Sequence, residues 1–121
     1  MCGISGALAP VGQGTARLQR DLVEAMASTL RHRGPDASDT WVDPFGRMAL
    51  GHTRLAIVDL SEAGAQPMTS ADGRWTITYN GEIYNTEDLR RSLGSVRWRG
   101  HSDTEVLIEH IARYGVPATL K

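Results

Sequence analysis

Cysteine is almost missing from this chain. Cys2 is the whole supply in 121 positions, so an intramolecular disulfide framework and an all-cysteine metal cluster are both excluded. The four histidines, His32, His52, His101 and His110, do not fall at zinc-ligand spacing. No apolar run approaches the roughly 20 residues that a membrane-spanning helix needs. The N-terminus has no charged segment followed by a long apolar stretch, so it does not read as a secretory signal. Neither sign of charge dominates: 13 Lys plus Arg stand against 14 Asp plus Glu, for a net charge of −1. Without a basic block, binding driven by phosphate neutralisation is not expected, which argues against nucleic acid and against a polybasic membrane contact. Repeats and low-complexity tracts are absent as well. The expectation is a soluble cytoplasmic protein.

What remains is enough to fold. Apolar residues make up 40% and charged residues 22%, with three Trp and three Tyr, a balance that argues against disorder. The length suits one domain, and the 13 glycines point to tight turns and close backbone approaches.

The order of elements follows from periodicity and punctuation. Residues 2–8 read as a buried strand of small and apolar residues. From Ala16 to His32, Leu18, Leu22, Val23, Met26 and Leu30 share a helical face, and Gly34-Pro35 stops the helix. Thr40–Val42 reads as a strand and Pro44–Gly46 as a turn. A longer strand or pair of strands spans Met48–Val58, with Leu50, Leu55, Ile57 and Val58 as core candidates. Asp72-Gly73 signals a hairpin into Arg74–Tyr79, which alternates with period two. Asn85 caps a short helix that Gly94 closes, and Val96–Trp98 reads as a further strand. Ser102-Asp103-Thr104-Glu105 forms a capping box for a helix with Val106, Leu107, His110, Ile111 and Tyr114 on one face. Glu109 and Arg113 make an i,i+4 pair on the other face, and Gly115 and Pro117 end it, with no element expected beyond. This order is α+β with mostly antiparallel pairing.

Cys2 is the most unusual residue. If Met1 is removed, Cys2 carries a thiol and a free α-amine together. An α-amine has a reference pKa of about 8, and a thiol is intrinsically nucleophilic. Nucleophile and base then share one residue, as in enzymes that use an N-terminal threonine; an incidental buried cysteine is the other reading. Gly3 and Gly6 either let a substrate or backbone approach that nucleophile or serve tight strand packing. Asn80-Gly81 offers an amide donor and a flexible N–H suited to an oxyanion, or it is a plain turn. Arg54 interrupts an apolar stretch, so it either meets a ligand carboxylate or faces solvent. Asp103 either binds a ligand ammonium or simply favours the positive end of its helix. His32–Asp36 reads locally as a helix stop and structured loop, with His32 a hydrogen-bonded structural residue.

Six motifs then occur in order: Met1-Cys2-Gly3-Ile4, His32-Arg33-Gly34-Pro35-Asp36, Gly51-His52-Thr53-Arg54-Leu55-Ala56-Ile57-Val58-Asp59-Leu60, Gln66-Pro67-Met68, Tyr79-Asn80-Gly81-Glu82-Ile83-Tyr84-Asn85 and Ser102-Asp103-Thr104-Glu105-Val106. Together they resemble the glutaminase domain of glutamine-hydrolysing asparagine synthetases, class II glutamine amidotransferases among the N-terminal-nucleophile hydrolases. The resemblance spans nearly the whole chain. It implies an αββα sandwich, incomplete in an N-terminal fragment, and hydrolysis of L-glutamine to glutamate and ammonia. It assigns catalysis to Cys2, Asn80 and Gly81, with the glutamine pocket formed by Arg54, Ile57, Val58, Asn80, Gly81, Glu82 and Asp103. In this assignment Arg54 takes the substrate carboxylate, Asp103 with Glu82 takes the ammonium, and Ile57 and Val58 contribute backbone groups. A zwitterionic substrate needs such a cation and anion.

By the same resemblance, residues 1–121 are the N-terminal part of the domain. A C-terminal synthetase domain, absent here, would spend the ammonia on asparagine. No cofactor and no metal are expected in this part, and ATP and magnesium only in the synthetase domain. An incomplete sandwich exposes sheet edge and apolar surface, so a homodimer is a further expectation, as is weak or absent activity of the fragment alone. Two alternatives stand beside this reading: an amidotransferase for another acceptor, such as a sugar acid or other carboxylate, or a non-catalytic glutamine-binding relative.

Overall fold

The computed structural model describes residues 1–56 and 61–121. Their backbone groups into two compact units. The first comprises Met1–Ala56, Ala65–Pro67 and Thr78–Asn80; the second comprises 61–64, Met68–Ile77 and Gly81–Lys121.

The first unit is a three-stranded antiparallel sheet backed by one helix. Strand β1 (Gly3–Leu8), helix α1 (Ala16–Ser28), β2 (Ala37–Val42) and β3 (Met48–Arg54) follow one another, and the spatial order is β1-β3-β2. Gly3 lies opposite Thr53 and Leu8 opposite Met48 across one side of β3, and Trp41 opposite Leu50 across the other. The β2–β3 turn is fixed by Asp43, whose carboxylate accepts the Arg47 and Met48 N–H groups, while Gly46 supplies the positive φ of 67°.

Helix α1 starts at Thr15, whose hydroxyl accepts the Leu18 N–H. It ends earlier than the expected His32: Ser28 and Thr29 turn their hydroxyls back onto the carbonyls of Ala25 and Met26, and single turns continue to Arg33. Its inward face also differs from the expected one. Gln19, Val23 and Ala27 are buried, whereas Leu18 and Leu22 are 56% and 47% exposed. The sheet explains the change. Its helix-side surface is built from Gly3, Gly51 and Thr53, and a Cβ on Gly51 would lie 2.6 Å from Val23 Cγ1. Where the helix crosses Gly51 it comes so close that the contact is made by Val23 and Ala27, while Leu18 and Leu22 lie towards the rim.

The same parity corrects two strand readings. β1 is half-exposed rather than buried, with Ile4 and Leu8 open. In β3 the buried residues are Ala49, Gly51, His52 and Thr53, with Leu50 only half-buried. Ile57 and Val58, also named as core candidates, lie outside the described residues.

The second unit is helical with one small hairpin. A 3₁₀ turn (Glu62–Gly64) precedes β4 (Met68–Thr69) and β5 (Thr76–Ile77), which pair antiparallel. The hairpin strands are far shorter than the alternation of Arg74–Tyr79 suggested, because the turn from Ser70 to Trp75 is held by side chains. Asp72 accepts from the Ser70 hydroxyl and the Arg74 N–H, and these bonds, the Ser70 one above all, pull its pKa down to about 2.

Helix α2 (Thr86–Leu93) begins at Asn85 and ends at Gly94, as expected, but the Asn85 side chain makes no cap; the Thr86 hydroxyl bonds the Ile83 carbonyl instead. Val96–Trp98 forms no strand: Trp98 lies beneath the Arg90 guanidinium at 4.5 Å. Helix α3 (Asp103–Tyr114) is the core of this unit, with every residue from Thr104 to Ile108 buried. Its capping box is half-formed. Ser102 Oγ accepts the Thr104 N–H, but the buried Glu105 reaches past the cap to the Arg99 and Gly100 N–H groups and the Arg99 side chain. Glu109 and Arg113 do not pair with each other. Glu109 accepts the Ala71 N–H, and Arg113 donates to the Leu93 carbonyl. A final turn, α4 (Val116–Thr119), follows where no element was expected, and Pro117 in its first turn lacks only an N–H that is unpaired there anyway.

Candidate active site

The site begins where β1 begins. With Gly3 opposite Thr53, continuing the ladder by one residue sets Cys2 beside Arg54. Side chains alternate along a strand, so Cys2, Ile4, His52 and Arg54 share the sheet face turned away from α1.

Cys2 is half-buried and fixed from two directions. Its Sγ accepts the Leu55 N–H at 3.4 Å and lies 3.7 Å from the Leu55 carbonyl, and its own carbonyl accepts Arg33 Nε at 3.2 Å. The preceding Met1 is 73% exposed. The glycine after Cys2 serves packing: a Cβ at Gly3 would lie 2.5 Å from Thr53 Oγ1 and 2.8 Å from Leu30 Cβ.

Arg33 is the residue that local reading missed. His32–Asp36 is more than a helix stop. Arg33 holds the Cys2 carbonyl, the Asp36 N–H donates to the Arg54 carbonyl at 3.0 Å, and Asp36 Oδ2 accepts the Ala56 N–H at 2.8 Å. The loop therefore buttresses both Cys2 and the Arg54–Ala56 segment. Its only sign in the sequence was the density of special residues. His32 behaves as expected, with Nδ1 on the Thr29 carbonyl at 3.1 Å.

His52 is fully buried at 1% exposure. Burial, and then the positive charge of Arg54, push its pKa down to about 4, so the imidazole is neutral at pH 7. Its Nδ1 lies 3.0 Å from Thr78 Oγ1. Thr78 opens the short segment Thr78–Asn80, and the Tyr79 N–H donates to Gln66 Oε1 at 2.6 Å. Asn80, at the end of that segment, is exposed, and no hydrogen bond joins it to Cys2 among the described residues.

The remaining candidates lie in the second unit. Gly81 and Glu82 are exposed. Asp103 sits in the first turn of α3 with both carboxylate oxygens engaged: Oδ2 accepts the Ile83 N–H at 2.9 Å and Oδ1 the Thr104 N–H at 2.8 Å. Asp103 thus anchors the loop that carries Glu82. Ile57 and Val58 lie outside the described residues. Among the described residues no group of three or more His, Cys, Asp or Glu is placed to hold a metal ion, and no helix is long and apolar enough to cross a membrane.

Residues 1–121 match the glutamine amidotransferase domain family. The chain belongs to that family. This amidotransferase chain is 45% identical over 115 residues to asparagine synthetase [glutamine-hydrolyzing] 3 of Bacillus subtilis, an alignment covering 89% of this chain and 17% of the relative. Asparagine synthetase [glutamine-hydrolyzing] 1 of Arabidopsis thaliana is 40% identical over 116 residues, covering 96% of this chain and 19% of the relative. Amidase chry2 of Gibberella zeae is 35% identical over 124 residues, covering 96% and 18%. The amidotransferase chain therefore spans under a fifth of the length of these curated relatives. The order of motifs from Cys2 to Asp103 pointed to the right family.

Proposed function

We propose that this domain releases ammonia from L-glutamine through Cys2, for use by a synthetase domain of the same protein. The observation that carries the reading is the placement of Cys2. It is the second residue of a chain that matches the family from end to end, its sulfur is fixed on the Leu55 backbone, and Arg54 neighbours it on the ladder. Removal of the exposed Met1 frees the Cys2 amine.

The thiol then attacks the side-chain amide carbon while the α-amine takes the thiol proton, directly or through a water. The Asn80 amide and the Gly81 N–H donate hydrogen bonds to the oxygen on which negative charge builds. Collapse of the tetrahedral intermediate breaks the carbon–nitrogen bond; the amine returns the proton, and ammonia leaves a γ-glutamyl thioester. Water attacks the thioester, glutamate departs, and the thiol is restored. Arg54 holds the substrate carboxylate, Asp103 with Glu82 the ammonium, and backbone groups of Ile57 and Val58 line the same pocket. The Ile83 N–H on Asp103 supports the pairing of Asp103 with Glu82 by holding their segments together.

The domain reading extends the same way. Residues 1–121 form the N-terminal part of an αββα N-terminal-nucleophile sandwich, and a C-terminal synthetase domain couples the ammonia to ATP-dependent asparagine formation. ATP and magnesium serve the synthesis step rather than glutamine hydrolysis. They belong to the synthetase domain. β1 is an edge strand carrying exposed Ile4 and Leu8, which supports self-association as a homodimer. A catalytic thiol that must stay reduced suits the cytoplasm.

The test uses the full-length protein. A glutamine-like diazo-ketone is expected to label Cys2 on an N-terminus lacking Met1, as mapped by mass spectrometry. Cys2→Ala is expected to abolish glutamine use while free ammonia still supports synthesis. Ammonia release from glutamine by Cys2→Ala at the parent rate overturns the reading.

A further inference from the structure

We propose that His52, acting through Thr78, is a positioning residue that aligns the Asn80 donor. The inference rests on the reading of Asn80 as an oxyanion donor.

Asn80 is exposed, yet a donor aimed at a developing charge must hold its place during the reaction. Strand β5 ends at Ile77, so residues 78–80 need other supports. Thr78 supplies one. Its Oγ1 lies 3.0 Å from His52 Nδ1 and donates to the Gly51 carbonyl at 3.5 Å. One hydroxyl thus bridges two successive residues of β3, in the strand that also carries Arg54. The next residue is held as well, through the Tyr79 N–H on Gln66 Oε1 at 2.6 Å. The direction of the Thr78–His52 bond follows the imidazole tautomer: when the Thr78 proton points at the Gly51 carbonyl, Nδ1 carries the ring proton. Nε2 is then an acceptor, and it is buried with no partner among the described residues.

An imidazole so deeply buried, with one nitrogen unpaired, costs stability, and a leucine or phenylalanine would fill the space at less cost. What an apolar side chain cannot supply is a rigid donor to the Thr78 hydroxyl. His52 is also neutral at pH 7, so it adds no charge next to Arg54. The arrangement ties the nucleophile's sheet to the segment bearing Asn80 through a side-chain pair rather than a main-chain ladder alone.

The experiment compares Thr78→Val, Thr78→Ser, His52→Gln and Asn80→Ala in the full-length protein. Three constants are measured: kcat and KM for glutamine hydrolysis, and the rate at which iodoacetamide alkylates Cys2. Alkylation displaces iodide from a CH₂ group and forms no oxyanion, so it reads the nucleophile alone. Thr78→Val is expected to lower kcat by about tenfold or more, with KM and alkylation within about twofold of the parent. Thr78→Ser is expected to restore kcat to within about threefold. An unchanged kcat in Thr78→Val overturns the proposal. So does a fall in kcat matched by equal changes in KM and alkylation, which marks general damage. Should Thr78→Val not fold, His52→Gln decides by the same three constants. Asn80→Ala separates the two layers: if it keeps the parent kcat, the oxyanion assignment itself is wrong, whatever Thr78 does.

Discussion

Gly34→Ala tests whether the loop at residues 32–36 holds Arg54, the proposed carboxylate ligand, in place. Gly34 does not adopt a positive φ, so its backbone conformation suits alanine, and removing a glycine would by itself stabilise the chain by about 0.4–1 kcal/mol. The surroundings reverse that sign. The new methyl group would lie 2.3 Å from the Thr53 carbonyl oxygen, 2.4 Å from its carbon and 2.6 Å from the Arg54 nitrogen. All three are main-chain atoms, so no side chain can swing aside. Reaching even 3.0 Å demands that loop and strand part by about 0.7 Å at the carbonyl oxygen. The Asp36–Arg54 and Ala56–Asp36 hydrogen bonds span that boundary. Overpacking of this kind costs about 1–3 kcal/mol, and lengthening two hydrogen bonds places the loss near the top of that range. At the usual unfolding entropy per residue, about 3 kcal/mol corresponds to a fall in Tm of roughly 12 °C for 121 residues. Thermal melts of the full-length protein read that change, and glutamine kinetics should show KM rising more than kcat falls, since Arg54 moves with its strand. A Tm equal to or above the parent's would refute the reasoning, because only the clash opposes the gain from alanine.

Other outcomes are expected. Arg54→Ala should raise KM for glutamine by the loss of one charged hydrogen bond, about 2–3 kcal/mol, with kcat less affected; an unchanged KM removes Arg54 from the site. Asp103→Asn should raise KM as severely as Asp103→Ala, because both carboxylate oxygens accept main-chain N–H groups and an amide has only one acceptor; near-parent kinetics in Asp103→Asn would contradict this. His52 makes the fold acid-sensitive. Its ordinary pKa of 6.5 falls to about 4 on folding, so between those values the unfolded chain binds more protons than the folded one. Stability is complete above pH 6.5 and drains away as the pH falls through 4, by about 3 kcal/mol at most. Denaturant melts of parent and His52→Gln across this window should differ in slope, and equal slopes would dismiss the effect.

The sequence alone determined the family and the order of its motifs. The thiol at Cys2, the cation at Arg54, the Asn80-Gly81 pair and the first-turn acid at Asp103 are local facts of residue type and spacing, as are the ends of α2 and α3, because caps and turns act within a few residues. Tertiary structure decided the rest. Periodicity gave α1 an apolar stripe, but against the glycine-lined sheet the helix turned so that Gln19, Val23 and Ala27 face inward and Leu18 and Leu22 outward. Glu105 left its expected cap for Arg99 and Gly100, since a buried carboxylate takes the strongest donors within reach. Arg33 and His52 gained their roles from partners far away in the chain, Cys2 and Thr78. No local pattern encodes such pairs, because they exist only once the strands have fixed which residues meet.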